Sequence, residues 1–149
     1  MSQGEYIAPE KLENIYIQSP FIAQIFVYGS SLENYLVGIL SLDPDHLEKW
    51  CKQAGKDSAQ VKADLNSEAT LKEEIAASLD ELVKKNKLNS LEKVKRFHLT
   101  TLPFTVEDGI LTPSFKLRRH NAKIFFQSQL EAMYALGDPA LEKKPEEVK

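Results

Sequence analysis

Residues 21–42 read F-I-A-Q-I-F-V-Y-G-S-S-L-E-N-Y-L-V-G-I-L-S-L, and this stretch decides the fold. Two apolar, β-favouring runs, 21–29 and 35–42, flank the turn-like Ser30-Ser31-Leu32-Glu33-Asn34. The pattern predicts an antiparallel hairpin, largely buried on both faces. Immediately after it, Asp43-Pro44 reads as an N-cap followed by a first-position proline, opening a helix through His46–Ala54 that Gly55 ends. Before it, 9–18 reads as a short helix: Pro9 suits the first turn, and Leu12, Ile15 and Tyr16 share a face. Ser19-Pro20 stops that helix, because proline disfavours the α conformation in the residue before it.

Further out, 68–87 carries the clearest helical stripe, Leu71, Ile75, Leu79, Leu82 and Val83 on a charged background. K-R-F-H-L-T-T-L, 95–102, reads as a third strand holding Phe97, Leu99 and Leu102, closed by Pro103. A loop with Asp108-Gly109 leads to a last helix from Ser114 to Leu136, with Ile124, Phe125, Leu130, Met133 and Leu136 expected in the core. Residues 137–149, polar with two prolines, read as a flexible tail. The expected fold is α+β: a small, mostly antiparallel sheet of about three strands, flanked by about four or five helices.

Composition narrows the class. The chain has 149 residues, 42% hydrophobic and 28% charged, which excludes a mainly disordered, collagen-like or disulfide-scaffold protein. No apolar run reaches the ~18–20 residues of a membrane span. Cys51 is the only cysteine, so no internal disulfide forms. The net charge of −3 argues against a nucleic-acid partner, yet Lys84–Lys123 concentrates 10 of the 19 Lys and Arg with only Glu92, Glu107 and Asp108 opposing them. That segment carries +7 and the remainder −10. Lys84, Lys85 and Lys87 close a helix, where cations favour the dipole. His46, His98 and His120 are scattered and lack cysteine partners, so no metal site is expected.

Two stretches stand apart: Q-G-E-Y-I-A-P-E-K-L-E-N at 3–14 and D-G-I-L-T-P-S-F-K-L-R-R at 108–119. Together they resemble the carboxy-terminal domain of the adenylate-forming (AMP-forming) superfamily, and their wording looks most like its long-chain fatty acyl-CoA synthetase branch. The resemblance implies a mobile domain over 1–136, followed by the tail 137–149. The chain reads as excised from a longer ligase, with its amino-terminal adenylation domain absent. That domain is the implied partner, and the fragment alone is expected to be inactive.

The resemblance also implies the chemistry. Fatty acid attacks the α-phosphate of ATP, with Mg2+, to give acyl-adenylate, and CoA then displaces AMP to give acyl-CoA. The catalytic lysine maps to Lys116, whose ammonium suits an approaching carboxylate and phosphate. Gly4 maps to the glycine beside the pantetheine arm, and Glu13 to the acidic end of the same motif, with a structural role as good as a substrate contact. Ser114-Phe115-Lys116 departs from the usual Ser-Gly-Lys. Tyr6 stands where some acetyl-CoA synthetases have an arginine, which leaves Arg118, Arg119 and Lys123 as candidates for CoA phosphates. No ATP, Mg2+ or CoA is expected to bind the fragment tightly. An intracellular, cytosol-facing setting is implied, with membrane association (ER, mitochondrial or peroxisomal) only through regions outside the chain. The alternatives are a stand-alone binding or regulatory module and a medium-chain or aryl-CoA ligase domain.

Overall fold

The computed structural model describes residues 7–141. Its centre is the expected hairpin: Ile22–Gly29 (β1) pairs antiparallel with Leu36–Leu42 (β2), with Ile25 opposite Leu40 and Gly29 opposite Leu36. Val94–Thr100 (β3) takes the other side of β2, and the sheet order is β1-β2-β3. β3 runs parallel to β2, pairing Leu36 with Val94 and Ser41 with Thr100. Parallel neighbours need a crossover over one face of the sheet, and the helical segment between β2 and β3 supplies it.

Every residue of β2 is buried, because helices cover both faces. On one face Ile25, Val27, Leu36 and Leu40 meet Leu12 and Tyr16 of Pro9–Tyr16 (α1) and Leu47 and Trp50 of Pro44–Ala54 (α2). Val61 of Ser58–Ala63 (α3) and Leu71, Ile75 and Leu79 of Ala69–Lys85 (α4) complete that layer. On the other face Phe26, Val37 and Ile39 meet Ala122 of Arg119–Phe125 (α5) and Leu130 and Met133 of Gln127–Ala135 (α6). The α+β class holds, with six α-helices among the described residues flanking the mixed sheet.

The local signals explain the elements. Asp43 accepts from the His46 N–H at 2.9 Å, Pro44 opens α2, and Gly55 ends it at φ 68°, a conformation that costs glycine nothing. The free edge of β3 is covered by Asn66, which accepts from Leu99 N–H (2.8 Å) and donates to Leu99 C=O (2.9 Å).

Two expectations fail locally. The helix expected over Ser114–Leu136 is two, interrupted at Phe126, whose φ is −102°. The break shifts the buried face: Ala122 and Phe126 enter the core, whereas Ile124 and Phe125 are 58% and 53% exposed and Leu136 is also exposed. Leu102 lies beyond the end of β3 and is exposed. The short α3 has too few turns to show a period, and Asp57 caps it by accepting from Ala59 N–H. After α6, Asp138 pairs with Lys95 at 3.1 Å, and Arg96 donates to the Gly137 and Leu136 carbonyls.

Candidate active site

Lys116 sits on a tight hairpin of its own, where a helix opening was expected. After β3, the Gln24 side chain accepts from Phe104 N–H (2.8 Å) and donates to Phe104 C=O (3.0 Å), fixing that residue in the core. Asp108 then accepts from the Ile110 N–H (2.9 Å) and from Thr105 N–H, and Gly109 takes φ 82°, which turns the chain back. Ile110 and Leu111 are buried and anchor the first arm. The arms are joined by a bridge between Leu111 and Leu117 and by Arg118 N–H donating to Ile110 C=O at 2.7 Å.

The tip is closed by its own polar groups. Thr112 N–H donates to Lys116 C=O, and Phe115 N–H to Thr112 C=O, both at 2.8 Å. The Thr112 hydroxyl accepts from Lys116 N–H at 3.1 Å. This is why no helix starts at Ser114: a threonine side chain competes for the backbone donor, and Phe115 sits at φ 65°, outside any right-handed helix. Phe115 is 75% exposed, and the Lys116 side chain has no ion-pair or hydrogen-bond partner among the described residues.

The hairpin borders a cleft of about 360 Å³. Its walls come from α1 and its C-cap (Glu10, Glu13, Ile17), β1 (Gln24, Ile25) and the hairpin itself (Phe115, Lys116), with Arg119 at the start of α5. Glu13 is 7% exposed, on the same helical face as Leu12 and Tyr16. One of its oxygens accepts from Val27 N–H at 2.8 Å and from Arg119 Nη1 at 3.0 Å; the other takes Arg119 Nη2 at 2.5 Å.

The candidate residues therefore separate. Lys116 and Arg119 line the same cleft, with Arg119 already held by Glu13. Arg118 is exposed at the N-cap of α5. Lys123 points elsewhere, its ammonium 5.8 Å from the Tyr28 ring, beside a different cleft formed with Glu33 and Tyr134. Gly4 lies outside the described residues. Among the described residues no group of three His, Cys, Asp or Glu could hold a metal ion. The left-handed Phe115 has no signal in hydrophobic periodicity; the glycine usual at that place in the motif is the one hint. The burial of Glu13 was readable from its spacing to Tyr16, three residues on.

The basic segment is partly neutralised in the fold. Lys93 pairs with Asp80 (3.2 Å), Lys95 with Asp138 and Arg119 with Glu13, so acids from distant parts of the chain meet it.

Solved structures share this fold. A crystal structure of the adenylation domain of a carboxylate reductase from Mycobacterium chelonae matches with TM-score 0.75 and 37% identity, over 91% of this chain and 19% of that one. The A-PCP didomain of a carboxylic acid reductase from Segniliparus rugosus, in complex with AMP, matches with TM-score 0.71 and 35% identity, over 91% and 17%. The fold is one that adenylate-forming domains carry.

Among curated proteins, human long-chain-fatty-acid–CoA ligase 6 is 40% identical over 137 residues, 92% of this chain and 19% of the relative. The peroxisomal long chain acyl-CoA synthetase 7 of Arabidopsis thaliana is 37% identical over 135 residues, 91% and 19%. No protein-family model matches the chain. The chain belongs to the long-chain fatty acyl-CoA synthetase branch of the adenylate-forming superfamily and corresponds to the carboxy-terminal part of these relatives. It spans about a fifth of their length, 19%.

Proposed function

We propose that this chain is the lysine-bearing carboxy-terminal domain of an AMP-forming long-chain fatty acid–CoA ligase. The reaction joins fatty acid and ATP into acyl-adenylate with release of pyrophosphate, and the CoA thiol then displaces AMP. The observation that carries this reading is the exposed Lys116 side chain on a self-closed hairpin, within the motif the family uses for adenylation. A lysine held on a rigid projection beside a cleft can meet both the incoming carboxylate and the α-phosphate, and a point charge there stabilises charge developing on the phosphoryl oxygens.

The rest of the active site belongs to an amino-terminal adenylation domain, the partner implied by relatives about five times as long as this chain. ATP, Mg2+ and CoA are substrates of that assembled enzyme, with Mg2+ arriving on the nucleotide. Gly4 is assigned to the pantetheine approach by its motif. Arg118 and Lys123 are exposed and suit the CoA phosphates. Arg119 shares the motif, but its guanidinium is turned to Glu13. No helix among the described residues is long and apolar enough to cross a membrane. The reading places the enzyme inside the cell, with any membrane attachment outside this chain.

The test is a pair of half-reactions in a full-length ligase carrying this domain. Lys116→Ala should slow acyl-adenylate formation by about 10²–10³-fold, the range for loss of a transition-state charge contact. Thioester formation from supplied acyl-adenylate should stay within about threefold of the parent, because the lysine is not used there. Equal loss in both half-reactions overturns the assignment.

A further inference from the structure

The buried carboxylate of Glu13 joins three elements of the fold. It sits on α1, accepts the Val27 N–H from β1 and holds both terminal nitrogens of Arg119 at the start of α5. Val27 is in the core of the sheet, so its N–H fixes Glu13 to a buried strand. Arg119 follows Arg118, whose N–H closes the base of the lysine hairpin on Ile110. A rigid path thus runs from the sheet through Glu13 and Arg119 to the arm that bears Lys116. The tip itself offers no second anchor: Pro113, Ser114, Phe115 and Lys116 are all exposed.

The pair also acts on charge. Among the described residues, Arg119 and Lys116 are the two cations lining the cleft. With Glu13 bound bidentately, the Arg119 charge is compensated at short range, a geometry that favours a fixed fork over a mobile one. An anion entering the cleft then meets Lys116 as the uncompensated charge.

We infer that Glu13 and Arg119 are positioning residues for Lys116, a latch that sets where the adenylation lysine stands and keeps the Arg119 guanidinium from competing for its anion. This rests on the proposed function and adds to it, since it removes Arg119 from the CoA-phosphate candidates and gives Glu13 a role.

The experiment uses the full-length ligase with Glu13→Gln and Arg119→Lys, which keep size and hydrogen-bonding capacity but break the bidentate ion pair. Expected is a fall of about 10–100-fold in kcat for acyl-adenylate formation, the scale for a misplaced reacting group. KM for ATP, fatty acid and CoA should stay within about twofold, and the thioester half-reaction should be spared. In a Lys116→Ala background, Arg119→Lys should add nothing further, as for groups acting through one another. Hydrogen exchange gives a readout independent of catalysis: amides in 110–118 should exchange at least about fivefold faster in both variants, with those of β2 unchanged.

A rise in KM for CoA with adenylation intact makes Arg119 a phosphate contact and overturns the proposal. So does parallel loss in both half-reactions, a further effect of Arg119→Lys on top of Lys116→Ala, or unchanged exchange in 110–118. If Lys116→Ala itself leaves adenylation intact, the functional reading fails, while the exchange result still decides whether the latch positions the hairpin.

Discussion

Phe115 and Lys87 are the two described residues other than glycine with positive φ, at 65° and 54°. Left-handed backbone costs an L-residue about 1–2 kcal/mol, because Cβ crowds the following carbonyl. At Lys87 the conformation ends α4: Lys87 N–H returns to Lys84 C=O and Leu88 N–H to Val83 C=O, a helix-terminating pattern that glycine usually occupies. At Phe115 it turns the tip of the lysine hairpin, where the related motif usually has glycine. Both Lys87→Gly and Phe115→Gly should therefore stabilise the domain, by about 0.5–1 kcal/mol after the larger unfolded-state entropy of glycine is subtracted, as read from urea midpoints. A loss of stability at either position would mean that its side chain contributes more than its backbone costs. Strain that persists in an exposed aromatic next to Lys116, the proposed adenylation lysine, is the pattern of a site kept for use rather than for stability.

At the scale of elements, the packing of α4 on β3 carries a pH signature. Lys72 of α4 donates to Phe97 C=O at 3.1 Å and lies 5.2 Å from the Phe97 ring. Burial holds its ammonium below the usual lysine range, helped by Arg96, and burial together with Lys72 likewise holds His98 below the ordinary imidazole value. An imidazole that resists charging in the fold takes its proton first in the unfolded chain. Stability is therefore unaffected well above about pH 6.5 and falls as pH drops through that value toward the lower native one. Thermal melts from pH 8 down to about pH 5.5 should show this decline, and His98→Gln should flatten it. A melt unchanged by His98→Gln would rule the histidine out.

The elements also show what sequence reading can reach. The hairpin, α2 with its Asp43-Pro44 start and Gly55 stop, and the stripe of α4 were legible because each rests on local chemistry: β-branching, a cap, a period. The parallel sense of β3 and the break at Phe126 were not, because both depend on which face a distant segment covers. The motif singled out Lys116 as the candidate, but its hairpin was not legible: the Thr112 hydroxyl that closes it looks, in sequence, like an ordinary residue ahead of a helix.

For the whole molecule, the uneven charge acquires a division of labour. Lys93, Lys95 and Arg119 are spent holding α4, the post-α6 segment and α1 in place. Lys116, Arg118 and Lys123 stay exposed, so what was one basic segment in sequence becomes a structural part and a part available to anions.

The parallel β2–β3 pairing orders events in time. β1 and β2 are neighbours along the chain, and their contacts form with little loop entropy lost; Leu36 can meet Val94 only after the whole crossover is gathered in. Refolding kinetics should reflect this, with substitutions such as Ile39→Val giving φ-values above about 0.5 and Leu99→Ala below about 0.3. High values at Leu99 would place the crossover in the nucleus instead. The lysine hairpin follows β3 along the chain, so the segment proposed to meet substrate should be among the last to be assembled and the first released when β3 lets go.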